Sequence, residues 1–366
     1  MRDNDYIYID KTHHIAHMFE TGGKYYFISR PRRFGKSLLI DTLKQAFLGK
    51  KEIFKGLYLE QHWDWSKQYP VIHFDFGEGC LKTKETLIAK INKFLDHYYR
   101  FYAIESIYPE VSSRFSYLIE QLAIKYGSVV ILIDEYDKPI LDNITASETA
   151  IIMREELKNL YSVIKTQDQN LKFVLLTGVS KFSKVSLFSG LNNLNDITLD
   201  ANYADLCGYT QSELEREFAG YLVAGKVDLD KLKLWYNGYG FNGSETQRVY
   251  NPFDILLFCS NGYTYRNYWF ETATPTFLIK LLEKKQYEIP NLECFEVLED
   301  LLSSFDVDNI SFITLMFQTG YLTILEQIAF GGRVGYRLGY PNLEVKASLN
   351  NHLSRIGNNV EQNSRN

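Results

Sequence analysis

The sequence predicts an α/β protein: a mostly parallel sheet flanked by helices, followed by a mostly helical region that closes on a hairpin. Three observations carry that reading. Val129-Val130-Ile131-Leu132-Ile133 is five apolar residues in a row, the pattern of a strand buried on both faces. Lys172-Phe173-Val174-Leu175-Leu176-Thr177 is a further such run and stops at Gly178. Around them, strand-like runs alternate with helix-like ones, as parallel sheets require, because each crossover needs a helix-length connection.

In chain order, Lys24-Tyr25-Tyr26-Phe27-Ile28-Ser29 is a short aromatic and β-branched strand. From Ser37 to Leu48, the residues Leu38, Leu39, Thr42, Leu43, Ala46 and Phe47 fall on one helical face. Val71 to Phe76 reads as a strand closing on Gly77 and Gly79, and Thr83 to Arg100 as a helix. A long helical segment runs from about Glu148 to Thr166. Past about Asn202 the character changes. Thr210-Gln211-Ser212-Glu213 has the spacing of a capping box, with Leu214 and Phe218 on the apolar side of the helix it opens. Trp235-Tyr236-Asn237-Gly238-Tyr239-Gly240-Phe241 is a loop-rich aromatic stretch. Helical segments follow near Pro252 to Cys259, Thr276 to Lys284 and Phe312 to Gln318. Tyr321 to Leu325 and Gly335 to Leu338 then flank Gly331-Gly332-Arg333, a hairpin signature. Helices closing on a hairpin predict a winged-helix-like module. The expected divisions are an α/β domain at 1–205, a helical, winged-helix-like domain at 206–345 and a polar tail at 346–366, Asn-rich from Arg355 onward.

The bulk numbers narrow the function classes. A chain of 366 residues, 45% hydrophobic, is long enough for two domains with real cores. A net charge of −5 gives no global pull toward nucleic acid or anionic membrane, although a local basic patch stays open. Cys80, Cys207, Cys259 and Cys294 include no C-x-x-C spacing, which argues against a zinc ribbon and for a reducing compartment. Met1 to Asp10 has charges and no apolar core of a signal peptide. No apolar run approaches the roughly 20 residues that a membrane helix needs. The expectation is a soluble, cytoplasmic protein without membrane contact.

One segment carries chemistry. Arg30-Pro31-Arg32-Arg33-Phe34-Gly35-Lys36-Ser37 follows a strand and opens a helix. That context suits a phosphate-binding loop, in which backbone N–H groups and a helix N-terminus face the phosphates. Arg33, Phe34, Gly35, Lys36, Ser37 and Leu38 are the candidate binding residues. Gly35 permits close backbone approach, Lys36 carries the positive charge for the β- and γ-phosphates, and the Ser37 hydroxyl is a ligand for Mg²⁺. The departure is Arg30, which stands where the pattern G-x-x-x-x-G-K-[ST] begins with glycine.

A second motif supplies a partner. The apolar run from Val129 ends in Asp134-Glu135. Nucleotide hydrolases of this type hold Mg²⁺ with a carboxylate at the tip of a neighbouring strand and orient water with another group. Asp134 suits the first role and Glu135 the second, with Lys36 the other catalytic candidate. Asp137 and Lys138 read as loop residues with ion pairing. At the tip of the run from Lys172, Thr177 and Ser180 are both candidates to sense the γ-phosphate or position the attacking water, the alternative being a simple strand-end turn. One of Arg32 and Arg33 either contacts phosphate or reaches a neighbouring subunit as an arginine finger, which requires a homo-oligomer. Alternatively the two are a solvated basic pair, or pair with carboxylates near Asp134.

These stretches together resemble the AAA-ATPase-like family of bacterial proteins, often joined to a PD-(D/E)xK nuclease-like domain. The matching residues are Tyr8 to Thr12, Phe27 to Leu38, Val130 to Pro139, Leu176 to Ser183, Cys207 to Thr210, Trp235 to Tyr239 and Tyr250 to Phe253. They span most of the chain to about Asn342. The resemblance implies a P-loop nucleoside-triphosphatase sheet that takes ATP and Mg²⁺, and makes Arg30 the family's own form of the loop. It also implies that Tyr8 to Thr12, Asp10 included, lies near the nucleotide. One departure is Gly240, where the family often carries a basic or polar residue. The family usually continues into the nuclease-like domain. Glu344-Val345-Lys346 has the E-x-K spacing of a nuclease metal site, but the residues after Lys346 cannot hold the required sheet. The expectation there is a charged start to a linker or helix, in a shortened family member whose nuclease, if any, is a partner.

Three functions follow from these readings. The first is Mg²⁺-dependent ATP hydrolysis coupled to a partner or process that the sequence does not name. The second is a nucleotide-binding regulatory module with little hydrolysis. The third is a nucleic-acid-binding protein acting through the winged-helix-like part.

Overall fold

The structure, a computed structural model, describes residues 6–182, 187, 193–244, 247–273, 294–303 and 311–349. The helical segment expected from Thr276 to Lys284 and the tail from Arg355 lie outside the described residues. The chain separates into two compact units. Among the described residues, the first comprises those within 1–29 and 36–198, and the second those within 30–35, 199–303 and 311–349. The short segment Arg30–Gly35, the front of the phosphate loop, therefore groups with the second unit.

The first unit is built on a five-stranded sheet with the order β2-β3-β4-β1-β5. The strands are β1 (Tyr25–Ser29), β2 (Val71–Asp75), β3 (Val129–Asp134), β4 (Leu171–Gly178) and β5 (Asn195–Asp196). Every pairing is parallel. All residues of β1 and β3 are buried, and so is β4 except at Lys172, which is why these runs show no alternation. Each such Val, Leu or Ile contributes roughly 1.5–3 kcal/mol relative to exposure. The helices are α1 (Thr12–Glu20), α2 (Lys36–Phe47), α3 (Lys84–Phe101), α4 (Val111–Tyr126), α5 (Lys138–Leu141) and α6 (Ser147–Thr166). Both α2 and α4 pack on β3. On α2 the buried set is Leu39, Ile40, Leu43, Ala46 and Phe47 with Lys36 and Thr42. Leu38, expected on that face, is exposed, and Ile40 takes its place. Thr83 caps α3: its hydroxyl accepts from the Thr86 amide at 3.3 Å, and the Thr86 hydroxyl accepts from the Thr83 amide at 3.1 Å.

The second unit contains α7 (Gln211–Glu217), α8 (Ala219–Ala224), α9 (Leu229–Tyr236), α10 (Pro252–Ser260), α11 (Tyr268–Ala273), α12 (Glu299–Ser303) and α13 (Phe312–Thr319). Its sheet, β6 (Phe295–Leu298), β7 (Thr323–Phe330) and β8 (Arg333–Gly339), has the order β6-β8-β7 and is antiparallel. The hairpin predicted around Gly331-Gly332 is β7–β8, longer than expected and extended by β6. The capping box opens α7 as predicted: the Glu213 amide donates to the Thr210 hydroxyl at 3.3 Å and Glu213 accepts from the Thr210 amide at 2.8 Å. At α10, Asn251 caps and Pro252 takes the first turn, where its missing N–H costs nothing.

Gly240 has a local reason. A Cβ there would stand 2.1 Å from an Arg248 guanidinium nitrogen and 2.8 Å from the Ile324 carbonyl oxygen. Arg248 uses that space to donate to the Ile324 and Leu325 carbonyls at the start of β7. The glycine is what lets the aromatic stretch lie against this strand.

Glu344, expected as a charged start to a linker or helix, lies in a helix but is not solvated. It is buried in a helical segment at 343–349 and accepts from the Trp269 amide at 2.8 Å and the Phe270 amide at 3.3 Å. These are orphan amides of the first turn of α11. Asp254 is buried beside it. Burial first, and the Glu344 charge second, push its carboxyl well above the usual carboxylate range. The folded chain thus holds a proton that the unfolded chain releases near pH 4, so stability falls as pH rises above that value toward the folded pKa. Asp254→Asn, which needs no proton, is expected to flatten that slope by up to roughly 1 kcal/mol per pH unit. Denaturant melts of both proteins from pH 5 to pH 9 check this, and parallel slopes would refute it.

Candidate nucleotide site

The parallel register brings four strand ends to one edge of the first unit. Ser29 pairs with Gly178, Leu176 with Ile133, and Asp75 with Asp134. Carboxyl ends of parallel strands are where open α/β sheets bind ligands. The strand order amends one expectation: β3, which carries Asp134, is not the neighbour of β1. Strand β4 lies between them, so Thr177 stands at the strand tip next to the acidic pair.

Asp134 is buried. Its Oδ1 accepts from the Glu135 amide at 3.0 Å and from the Thr177 hydroxyl. Thr177 thereby orients the carboxylate that would face a cation. Ser180, the other sensor candidate, is spent differently: its amide and hydroxyl donate to Asp137 Oδ2 at 2.7 and 2.6 Å, joined by the Val179 amide at 3.1 Å. Asp137, read from sequence as an ion-pairing loop residue, is instead the buried anchor of the turn after β4. Burial raises its carboxyl above the usual range, while the bonds from Ser180 and the Lys36 charge pull it back. Gly178 leaves room for this anchor, since a Cβ there would lie 2.6 Å from Asp137 Oδ1. The Tyr136 hydroxyl completes the turn by donating to the Ser180 carbonyl at 2.9 Å.

Glu135 has a left-handed backbone, φ +49°. That costs a non-glycine residue roughly 1–2 kcal/mol, and such strain gathers at functional positions. The turn carries its carboxylate to the end of β2: a Cβ on Gly77 would stand 3.2 Å from the Glu135 carboxyl carbon and 2.9 Å from Asp75 Oδ1. Asp75 and Gly77 are site-edge residues that sequence reasoning passed over. The signal available was an acidic residue closing a strand two positions before a glycine.

Lys36 is buried at the first turn of α2, whereas Ser37 and Leu38 are exposed. Asp10 is occupied within the fold. Its Oδ1 accepts from the Thr12 amide and hydroxyl at 2.8 and 2.7 Å, and its Oδ2 from the Tyr58 amide at 2.7 Å. Tyr8 exchanges a 3.1 Å hydrogen bond with Thr42 on α2. Among the described residues no three His, Cys, Asp or Glu cluster as metal ligands. Ser37 and Asp134 would offer one hydroxyl and one carboxylate, donor types that a Mg²⁺ ion keeping waters and phosphate oxygens as its other ligands would take.

The front of the loop has its own supports, all inside the second unit. Arg33 and Gly35 have φ of +68° and +93°, with Phe34 between them of ordinary hand. Such alternation turns successive amides toward one concave side, an anion-binding nest. The strain at Arg33 is offset locally. Its guanidinium carbon lies 4.8 Å from the Phe253 ring centroid. Phe34 is buried edge-on against Tyr239 and Phe241, at 4.7 and 5.9 Å. Arg30 is buried, with its guanidinium carbon 3.9 Å from the Phe241 centroid and Nη2 donating to the Tyr203 carbonyl at 3.0 Å. An aromatic side chain of this size contributes roughly 1.5–3 kcal/mol by burial alone, and each cation–π contact ~0.5–2 kcal/mol, enough to outweigh the turn. Arg30 in place of the usual glycine is thus a fixed anchor.

The family model described as a predicted AAA-ATPase, the AAA-ATPase-like family, matches residues 1–188. The chain belongs to this family. The match takes in Lys36, Ser37, Asp134, Glu135, Thr177 and Ser180, and so the whole strand edge described above. An uncharacterized protein in the vnfD 5′ region of Azotobacter chroococcum mcd 1 is a relative of this AAA-ATPase-like chain. It is 48% identical over 351 residues, which are 96% of this chain and 67% of the relative. Among solved structures, the ORC2 protein of Aeropyrum pernix, in ADPNP–ADP complexes, is similar at 11% identity and a TM-score of 0.38, covering 98% of each chain. The ORC1 protein of the same organism, in complex with DNA, is similar at 9% identity and a TM-score of 0.34, covering 94% of this chain and 93% of that one. No described helix of the AAA-ATPase-like chain is long and apolar enough to cross a membrane.

Proposed function

We propose that the chain is a Mg²⁺-dependent ATPase. The observation that carries this reading is the strand edge on which Thr177 orients Asp134, Glu135 follows in a strained turn, and the Lys36 charge acts on Asp137. In this reading the loop amides and Lys36 hold the phosphates, Ser37 and Asp134 hold Mg²⁺, and Glu135 accepts the proton of the attacking water. Thr177 keeps the Asp134 carboxylate in place as charge develops. Arg33, Phe34, Gly35 and Leu38 contribute through the loop and the first turn of α2, and Asp10 supports the segment before α1. A finger role for Arg32 or Arg33 would make the active form a homo-oligomer.

The winged-helix, nucleic-acid reading gains no support from the three-stranded sheet. There Arg337 is paired with Glu296 and Glu326, so its charge is already balanced. The test of the ATPase reading is phosphate release from ATP by the purified chain, with Mg²⁺ and with EDTA. Turnover confined to the Mg²⁺ arm is expected. Tight ATP binding with no metal-dependent release would replace this reading with the regulatory one.

A further inference from the structure

The carbonyl of Arg32, in the middle of the phosphate loop, accepts two hydrogen bonds. Trp269 Nε1 donates at 3.1 Å and Asn251 Nδ2 at 3.4 Å. A trans peptide is planar, and its C=O and N–H point in opposite directions. Whatever holds the Arg32 carbonyl therefore aims the Arg33 amide the other way. Arg33 is also where the backbone first turns left-handed.

Both donors are themselves held. The Trp269 and Phe270 amides donate to Glu344, and the Trp269 ring packs edge-on against Tyr321 at 5.3 Å. The Oδ1 of Asn251 accepts from the Phe253 amide at 2.9 Å, which directs its Nδ2 toward the loop. Gly320, with φ +91° at the end of α13, lets this wall approach: a Cβ there would lie 2.8 Å from Pro31 and 3.2 Å from the Trp269 ring.

We infer that Trp269 and Asn251 are positioning residues of the nucleotide site: by fixing the Arg32 carbonyl they aim the loop amides at phosphate. The assignment rests on the reading of this loop as the phosphate site. It also accounts for a loop that works with Arg30 in place of glycine, because the conformation is imposed from outside the loop rather than by a permissive residue within it.

The test uses the full chain and two variants, each of which removes the donor atoms at one of the two residues. Trp269→Phe keeps a ring and removes the N–H; Asn251→Asp keeps the cap acceptor and removes the Nδ2 donors. Without nucleotide, hydrogen exchange in the peptide spanning 30–37 is expected to accelerate about tenfold in Trp269→Phe, with the rest of 199–349 unchanged. With nucleotide, KM for ATP is expected to rise roughly three- to tenfold in either variant, more than kcat falls. Unchanged exchange at 30–37, or acceleration spread over the whole of 199–349, would overturn the assignment. Failure of the wild type to bind ATP would instead sink the nucleotide reading, and the exchange result would still report on the loop.

Discussion

Glu135→Gln is expected to keep its affinity for ATP while phosphate release falls by a factor of about 10² to 10⁴. Gln has the shape of Glu and leaves the backbone contact to Asp134 intact, since that bond comes from the residue 135 amide. What it loses is the ability to accept a proton. The left-handed turn at φ +49° persists in the variant, so the effect separates the chemistry of the carboxylate from the conformation that carries it. Equilibrium titration with ATP and single-turnover phosphate release measure the two parts. Equal release by both proteins would remove Glu135 from the mechanism. A parallel loss of affinity would mean that the carboxylate holds the cation rather than the water.

The largest effect on stability is expected from Gly238→Ala. Its φ is +112°, and a Cβ would stand 1.9 Å from the Pro341 carbonyl oxygen. The strain of the backbone and the collision with another backbone segment add to roughly 3 kcal/mol or more. That corresponds to a melting point lowered by about 6–12 °C for a unit of this size. Gly79→Ala is the matched control, because its φ of +82° is also left-handed but nothing lies within 4 Å of the new Cβ. It should cost only about 1 kcal/mol. Thermal melts of the two variants check the difference. Similar melting points would show that Pro341 yields and that the contact is not restrictive.

Much of this was legible because it is local. Five apolar residues from Val129 make a buried strand wherever they fall, and Thr210 with Glu213 closes a capping box across three residues. Gly331-Gly332 turns the hairpin for the same reason. The order of the sheet was not local. Nothing in the residues of β4 says that it inserts between β1 and β3, so Thr177 could be named as a sensor candidate but not as the partner of Asp134. The pairing of Ser180 with a buried Asp137 is not local either, since a buried anchor and a solvent loop show the same polar letters. Leu38 and Ile40 depart from the expectation because Leu38 lies about 100° back from Leu39, on the side away from Leu43 and Phe47, whereas Ile40 lies toward them.

The site's least legible part was its front wall. Arg30 read as an irregular phosphate loop, and the resemblance made that irregularity a family trait, but neither reading gave a cause. The cause lies more than 170 residues away in sequence, at Tyr203, Phe241, Asn251 and Trp269. A sequence can suggest it only through the density of aromatic and Asn residues there.

Binding of the phosphates of ATP by the Arg30 to Ser37 loop is tested most directly by a titration with ATP and Mg²⁺. The measurement compares the wild-type chain with Lys36→Ala by calorimetry at fixed ionic strength. Saturable one-site binding by the wild type is expected, weakened by a factor of about 10² or more in Lys36→Ala, because the loop then faces the phosphates without its buried charge. Absence of binding by the wild type, or equal affinity in the two proteins, would contradict the account.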